Sequence, residues 1–121
     1  MTSDAGTVIN AGLSRQELAT LRVTLLEQRA FRREQLSAIR RSARPQQPSG
    51  GPGSALGEVQ DLLTVAARLV LADVEAALDR MNTGHYGRCH GCRGFVDVQR
   101  LRICPQCLYC GECHRLRESG R

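Results

Sequence analysis

Residues 84–113 read GHYGRCHGCRGFVDVQRLRICPQCLYCGEC, and the cysteines within them decide the reading of the whole chain. Cys89-His90-Gly91-Cys92 and Cys110-Gly111-Glu112-Cys113 are two C-x-x-C pairs separated by 17 residues. At that spacing two tight knuckles bring four thiolates into a tetrahedron, the arrangement of a structural Zn2+ site. Zn2+ imposes no geometry of its own and accepts soft sulfur, and four thiolates leave no position open for water or substrate. Metal binding supplies on the order of 10 kcal/mol. The segment needs it, because Phe95, Val96, Val98, Leu101, Ile103, Leu108 and Leu116 are too few apolar residues to fold unaided. One structural Zn2+ held by Cys89, Cys92, Cys110 and Cys113 is the expectation.

Two further cysteines, Cys104 and Cys107, extend the pattern to every third residue up to Cys113. An iron–sulfur ligand run is one reading, but the spacing lacks the longer last step of that pattern and leaves Cys89 and Cys92 unexplained. Spare inert thiols, or a redox pair beside the metal site, are the others, with inert thiols preferred. His85, His90 and His114 flank the site and are read as surface or supporting residues, since four thiolates already complete the shell.

Upstream, the chain changes character. Ser14 followed by Glu17 fits a capping box that opens a helix. Good helix formers then run without Gly or Pro to Arg44-Pro45, about 45 Å of helix at the α-helical rise. Its apolar stripe is Leu18, Leu21, Leu25, Phe31, Leu36 and Ile39, weakened in the middle by Gln28, Arg29 and Arg32. Residues 45–54, PQQPSGGPGS, form a turn. A second helix is expected from near Ser54 to about Met81, with a seam of Val59, Leu63, Ala66, Val70, Val74, Ala77 and Met81, closed by Asn82-Thr83-Gly84. Residues 1–12 are polar and aperiodic and are read as a disordered lead-in.

The fold class that follows is mainly α: a long antiparallel helical hairpin (coiled coil) over 13–83 plus a four-cysteine zinc-finger module over 84–121. Charge supports the pairing. Residues 11–44 carry eight Arg against three acids, 55–83 two Arg against five, and 84–121 seven Arg against three. The formal net charge is +5, and all 17 basic residues are Arg; coding bias is the preferred explanation over guanidinium contacts with carboxylates and phosphates. With only two Phe, two Tyr and no Trp in 121 residues, a sandwich or barrel is disfavoured. No membrane span, secretory leader or catalytic constellation is legible, so a cytoplasmic, monomeric non-enzyme is expected.

The combination of Ala77-Leu78-Asp79-Arg80-Met81, Gly84-His85-Tyr86-Gly87-Arg88-Cys89, Cys92, Arg100-Leu101, Pro105, Cys110 and Cys113 resembles the DksA/TraR-type zinc-finger family over about the last third of the chain. The resemblance implies a regulator that binds RNA polymerase. Its hairpin would enter the channel through which nucleotides reach the active centre and alter initiation without sequence-specific DNA binding. It also places the zinc ligands on Cys89, Cys92, Cys110 and Cys113. Cys107 stands where Ala is usual in that family, and Arg93 where Gly commonly follows the second Cys. The family's two arm-tip aspartates fall near Gln46 and Ser49, and no acid lies between residues 35 and 57. This chain is thus expected to be a divergent member whose arm tip, Arg40, Arg41, Arg44, Gln46 and Ser49, meets the partner without acidic groups. Two alternatives stand beside it: a nucleic-acid-binding zinc module using Arg88, Arg93, Arg100, Arg102, Arg115 and Arg117, and a thiol/zinc redox sensor.

Overall fold

A computed structural model describes residues 12–42 and 55–120. Helix α1 spans Arg15–Ser42, α2 Ala55–Thr83, α3 Val98–Ile103 and α4 Gly111–Ser119. The turn at 45–54, the lead-in before Gly12, and Arg44, Gln46 and Ser49 of the arm tip lie outside the described residues.

The start of α1 is the expected reciprocal cap. The Glu17 amide donates to Ser14 Oγ at 3.0 Å, and the Ser14 amide donates to Glu17 Oε1 at 2.9 Å. The end of α2 is equally local. Gly84, at φ +81°, donates to the Met81 carbonyl, and the His85 amide donates back to the Arg80 carbonyl at 2.9 Å. That pair of bonds is a Schellman closure, which a left-handed glycine permits without a Cβ penalty.

α1 and α2 pack antiparallel along their length. Arg22 Nη1 donates to Asn82 Oδ1 at the base, Arg33 pairs with Glu75 at 2.9 Å, and Gln60 Nε2 donates to Ser42 Oγ near the far end. Near the module the seam is apolar. Leu21, Leu25, Val74, Ala77, Leu78 and Met81 are buried in one cluster with Leu13, Tyr86, Cys89, Val96 and Leu101 of the module end.

Farther out, the expected stripe of α2 departs from the observed one. Val59, Leu63 and Ala66 are exposed, as is Phe31 of α1, whereas Val70, Val74, Ala77 and Met81 of the expected seam are buried or half-buried; the line of buried and half-buried positions that runs the length of α2 passes through Gly57, Gln60, Thr64, Ala67, Leu71, Val74, Leu78 and Met81. Those positions step by three and four, the heptad of two helices winding around each other. Val59 through Met81 averages about 3.7 residues per contact, a period that drifts with the opposite hand. The two lines coincide at the base and separate by roughly 100° around α2 at its far end. Gln28, Arg32 and Gln35 of α1 occupy the matching half-buried positions. Arg32 Nη1 donates to Gln35 Oε1 at 2.9 Å there. Among the described residues, no helix is long and apolar enough to cross a membrane.

Candidate metal centre

The Schellman turn delivers the chain into the first knuckle through Tyr86. This ring is fully buried, and its hydroxyl donates to the Pro105 carbonyl at 2.7 Å. Burial pushes the Tyr86 hydroxyl far above its usual range, with Arg80 opposing, so it stays a neutral donor. Leu101, Pro105 and Val96 surround the same junction, which is how a small module is fixed to the hairpin.

The first knuckle is a miniature hairpin. Arg88 and Phe95 bridge, the Cys89 amide donates to the Gly94 carbonyl at 2.7 Å, and the Arg93 amide donates to the Cys89 carbonyl at 3.0 Å. Arg93 turns the chain at φ +67°. The second knuckle opens α4, with Cys110 as its N-cap: Cys110 Sγ accepts from the Cys113 amide at 3.4 Å. The knuckles are tied by the His90 amide donating to Leu108 O at 2.8 Å and the Cys110 amide donating to Cys89 Sγ at 3.3 Å. Gly91 suits this approach, because a Cβ there would lie 3.0 Å from Cys113 Sγ and the sulfur would have to give way.

The result is one cage. The sulfurs of Cys89, Cys92, Cys110 and Cys113 lie within 4.8 Å of one another, and Cys92 and Cys110 are 4.0 Å apart. A tetrahedral ion with sulfur ligands at about 2.3 Å has sulfur–sulfur edges of about 3.8 Å. The cage is therefore close to the size of a tetrahedral sulfur shell, and its longer edges need to close by only about 1 Å around an ion.

Cys89 is buried and Cys92 exposed, with the other two between. Burial alone pushes the Cys89 thiol up, but amides of Cys110, Cys92 and Gly91 and the Cys113 side chain outweigh it and bring it down to about 6. Cys113, which gives its hydrogen bonds to the sulfurs of Cys89 and then Cys110, is pushed up to about 12. The amides of Gly91, Cys92 and Cys110 all point at Cys89 Sγ and favour its thiolate.

The histidines stay outside the cage. His85 Nδ1 meets Thr83 Oγ1 at 3.0 Å, the His90 ring stands edge-on to Tyr109, and His114 pairs with Glu118. Cys104 and Cys107 are joined as a disulfide, so the spare-thiol reading gives way to a closed pair whose loop contains Pro105, the acceptor of Tyr86. The every-third-residue cysteine run is thereby divided between the cage and this bond.

The arginines proposed for nucleic acid are partly committed within the fold. Arg100 Nε donates to Tyr109 O at 2.9 Å, Arg117 lies 4.3 Å over the Tyr109 ring, and Arg88 lies 5.5 Å over Phe95. At the far end of α1, Arg40 and Arg41 are exposed, and Arg41 pairs with Glu34 at 3.1 Å. Residue reading missed the Tyr86–Pro105 bond and the close approach of Cys113 to Gly91. The first has no local signature, whereas a Gly inside a C-x-x-C is a visible sign of close approach.

Hairpin and cage together define a class: a helical-hairpin protein carried on a four-cysteine metal module. No protein-family model matches the chain, and neither does any curated protein. Among solved structures, transcription factor DksA2 from Pseudomonas aeruginosa is similar, with 22% sequence identity over 90% of this chain and 88% of that one, at a TM-score of 0.75. At that identity the likeness is one of architecture: the chain has a DksA-like fold.

Proposed function

We propose that this protein is a transcription regulator that acts by binding RNA polymerase, with the hairpin of residues 13–83 as the inserted arm and residues 84–121 as the platform that aims it. One observation carries the reading: the likeness to a transcription factor extends over both hairpin and module, not over the cysteine knuckles alone. The metal is Zn2+, bound by Cys89, Cys92, Cys110 and Cys113 and serving structure, because an all-thiolate shell has no open position. When bound, the ion supplies rigidity, and the chain's own residues do the rest. Tyr86, Leu101 and Pro105 lock the module against the base of α2, so the direction of the arm is set by packing. The protein works in the cytoplasm as a monomer, by binding and not by catalysis.

Without acidic groups near Gln46 and Ser49, the arm is expected to bind without reproducing the effects an acidic tip has at the polymerase active centre. Purified protein should co-migrate with RNA polymerase at micromolar concentration. Transcription from a stable-RNA promoter should respond to a Gln46→Asp, Ser49→Asp variant more than to the natural chain. Absence of co-migration rejects the reading.

The Cys104–Cys107 disulfide favours a second reading, a redox-responsive form of the same regulator. Exchange with a small dithiol transfers two electrons and two protons, opens the loop that presents Pro105 to Tyr86, and leaves the dithiol as a disulfide. An oxidant response that persists in a Cys104→Ser, Cys107→Ser variant removes this idea.

A further inference from the structure

In its outer half, α2 carries a seam on each of two opposite faces. The face that meets α1 runs through Gly57, Gln60, Thr64, Ala67 and Leu71. The face turned away from α1 carries Leu62, Val65 and Leu69, each more than half exposed, followed by exposed Ala72. Those four residues step by three, four and three, which makes a second heptad line on the same helix. Val59 and Ala66, also exposed, widen this line along one edge. The uncovered face of the outer arm is therefore richer in large apolar side chains than the face already covered. A helix with an apolar line on its free side belongs between two neighbours, and a contiguous exposed stripe of this kind marks an interaction surface.

Charge indicates what the neighbour is. Asp61 and Arg68 border the other edge of the line, immediately before Leu62 and Leu69, and both are exposed. Neither has an opposite charge three or four residues away on α2. Among the described residues neither forms an ion pair within the chain; the pairs found are Arg33–Glu75, Arg41–Glu34 and His114–Glu118. Two copies of α2 laid antiparallel about a two-fold axis bring like edges together. With Leu62 of each copy opposite Val65 of the other, Asp61 comes beside Arg68 of the second copy and Arg68 beside its Asp61, while Val59 meets Ala66 along the opposite edge. Glu58 then lies beside Leu69 at each end of the contact, apart from its own copy. Sliding the pair by one heptad sets Arg68 against Arg68 and Asp61 against Glu75, and sliding it the other way sets Asp61 against Asp61. Parallel pairing matches Arg68 with Asp73 but stacks Glu58 on Glu58 within the line. Like-charge contacts thus reject the alternatives, and one orientation in one register remains.

We propose that two copies of this chain associate through the outer face of α2, antiparallel, with Leu62, Val65 and Leu69 as the apolar contact and Asp61–Arg68 pairs along its edge. The inference stands independently of polymerase binding. Where the arm works by insertion, the dimer is its stored form and the monomer its working form, because one surface cannot be covered twice.

Sedimentation equilibrium of the zinc-loaded full chain at low salt, over about 1–300 µM, tests the proposal: the mass should double with a Kd of about 10–100 µM. Leu69→Glu should weaken association at least about 30-fold. Because Leu69 is exposed, that variant should melt with the parent at about 1 µM, where the chain is monomeric. Val23→Glu, the same kind of change at an exposed position on the side of α1 away from α2, should leave association unchanged. Asp61→Arg and Arg68→Asp should each weaken it about 5–10-fold, and the two together should restore it to within about 2-fold of the parent. A chain that stays monomeric at about 300 µM, a Leu69→Glu variant that still doubles in mass, or an equal loss with Val23→Glu overturns the proposal. A double variant as weak as Arg68→Asp alone means parallel or unrelated pairing and overturns it too. If the chain stays monomeric and Leu69→Glu instead abolishes co-migration with RNA polymerase, the stripe faces polymerase and the second-copy assignment is wrong.

Discussion

Near the module, the hairpin seam is Leu21 and Leu25 with Val74, Ala77, Leu78 and Met81, all buried; toward the far end the same seam holds Gln28, Arg32 and Gln35 with Gln60, Thr64 and Ala67, mostly half-buried. Several large apolar residues of that outer half face solvent, Leu62 at 72% and Leu69 at 62% exposure, while Leu36 and Ile39 of the expected stripe are half-buried. One helix pair thus has two regimes. The base is held by burial, at about 1.5–3 kcal/mol for each large side chain removed from water. The arm is held by helix propensity, by small residues that let the helices approach, and by polar links such as Arg33–Glu75, each worth about 0–1 kcal/mol when exposed.

The comparison breaks most visibly if the metal is removed. Chelation should release on the order of 10 kcal/mol of folding free energy from residues 84–120. Because Tyr86, Cys89, Val96 and Leu101 share a core with α1 and α2, amide exchange should accelerate at the base of the hairpin as well as in the knuckles. Unchanged protection at Leu25 and Val74 after chelation would show that the base stands without its module.

Next in size is a paired truncation. Leu25→Ala, at a fully buried site, should cost about 2–5 kcal/mol in denaturant unfolding. Leu62→Ala on the arm should stay within about 0.5 kcal/mol of the natural chain. Similar losses at both would erase the distinction. A smaller effect is expected for Tyr86→Phe, which leaves the Pro105 carbonyl without its 2.7 Å donor at a buried junction and should cost about 1–3 kcal/mol. A variant as stable as the parent would mean that ring burial alone fixes the module.

The smallest change sharpens the contrast from the other side. Gln28→Leu puts an apolar group at a half-buried seam position and should raise stability by about 1 kcal/mol, read as a higher denaturant midpoint with unchanged slope. A drop in stability would show that the polar seam is better satisfied than its burial indicates.

Local chemistry settled a large share of this molecule in advance. The capping pair Ser14 and Glu17, the closure at Gly84 and the two C-x-x-C knuckles are each specified by residues within a few positions of one another, and each occurs where its local rule places it. Hydrogen bonds across three or four residues do not depend on distant partners, so they are legible in the chain. The four cage cysteines are also legible at longer range, because the donor set itself demands that two knuckles meet.

Three other features were decided only by tertiary packing. Which face of α2 meets α1 in the outer arm depends on the winding of two helices around each other, and the stripe from Val59 to Met81 has a different period from the seam it was expected to form. Cys104 and Cys107 close a bond because the turn after α3 sets their Cα atoms 5.4 Å apart. The Tyr86 hydroxyl reaches the Pro105 carbonyl across 19 residues, and no spacing rule relates the two. Sequence alone established the joints and the four cysteines that the fold gathers into one cage, because both are governed by short-range geometry and donor chemistry. Only the folded chain established which surfaces are hidden and which charges are neighbours, because those depend on how rigid pieces settle against one another.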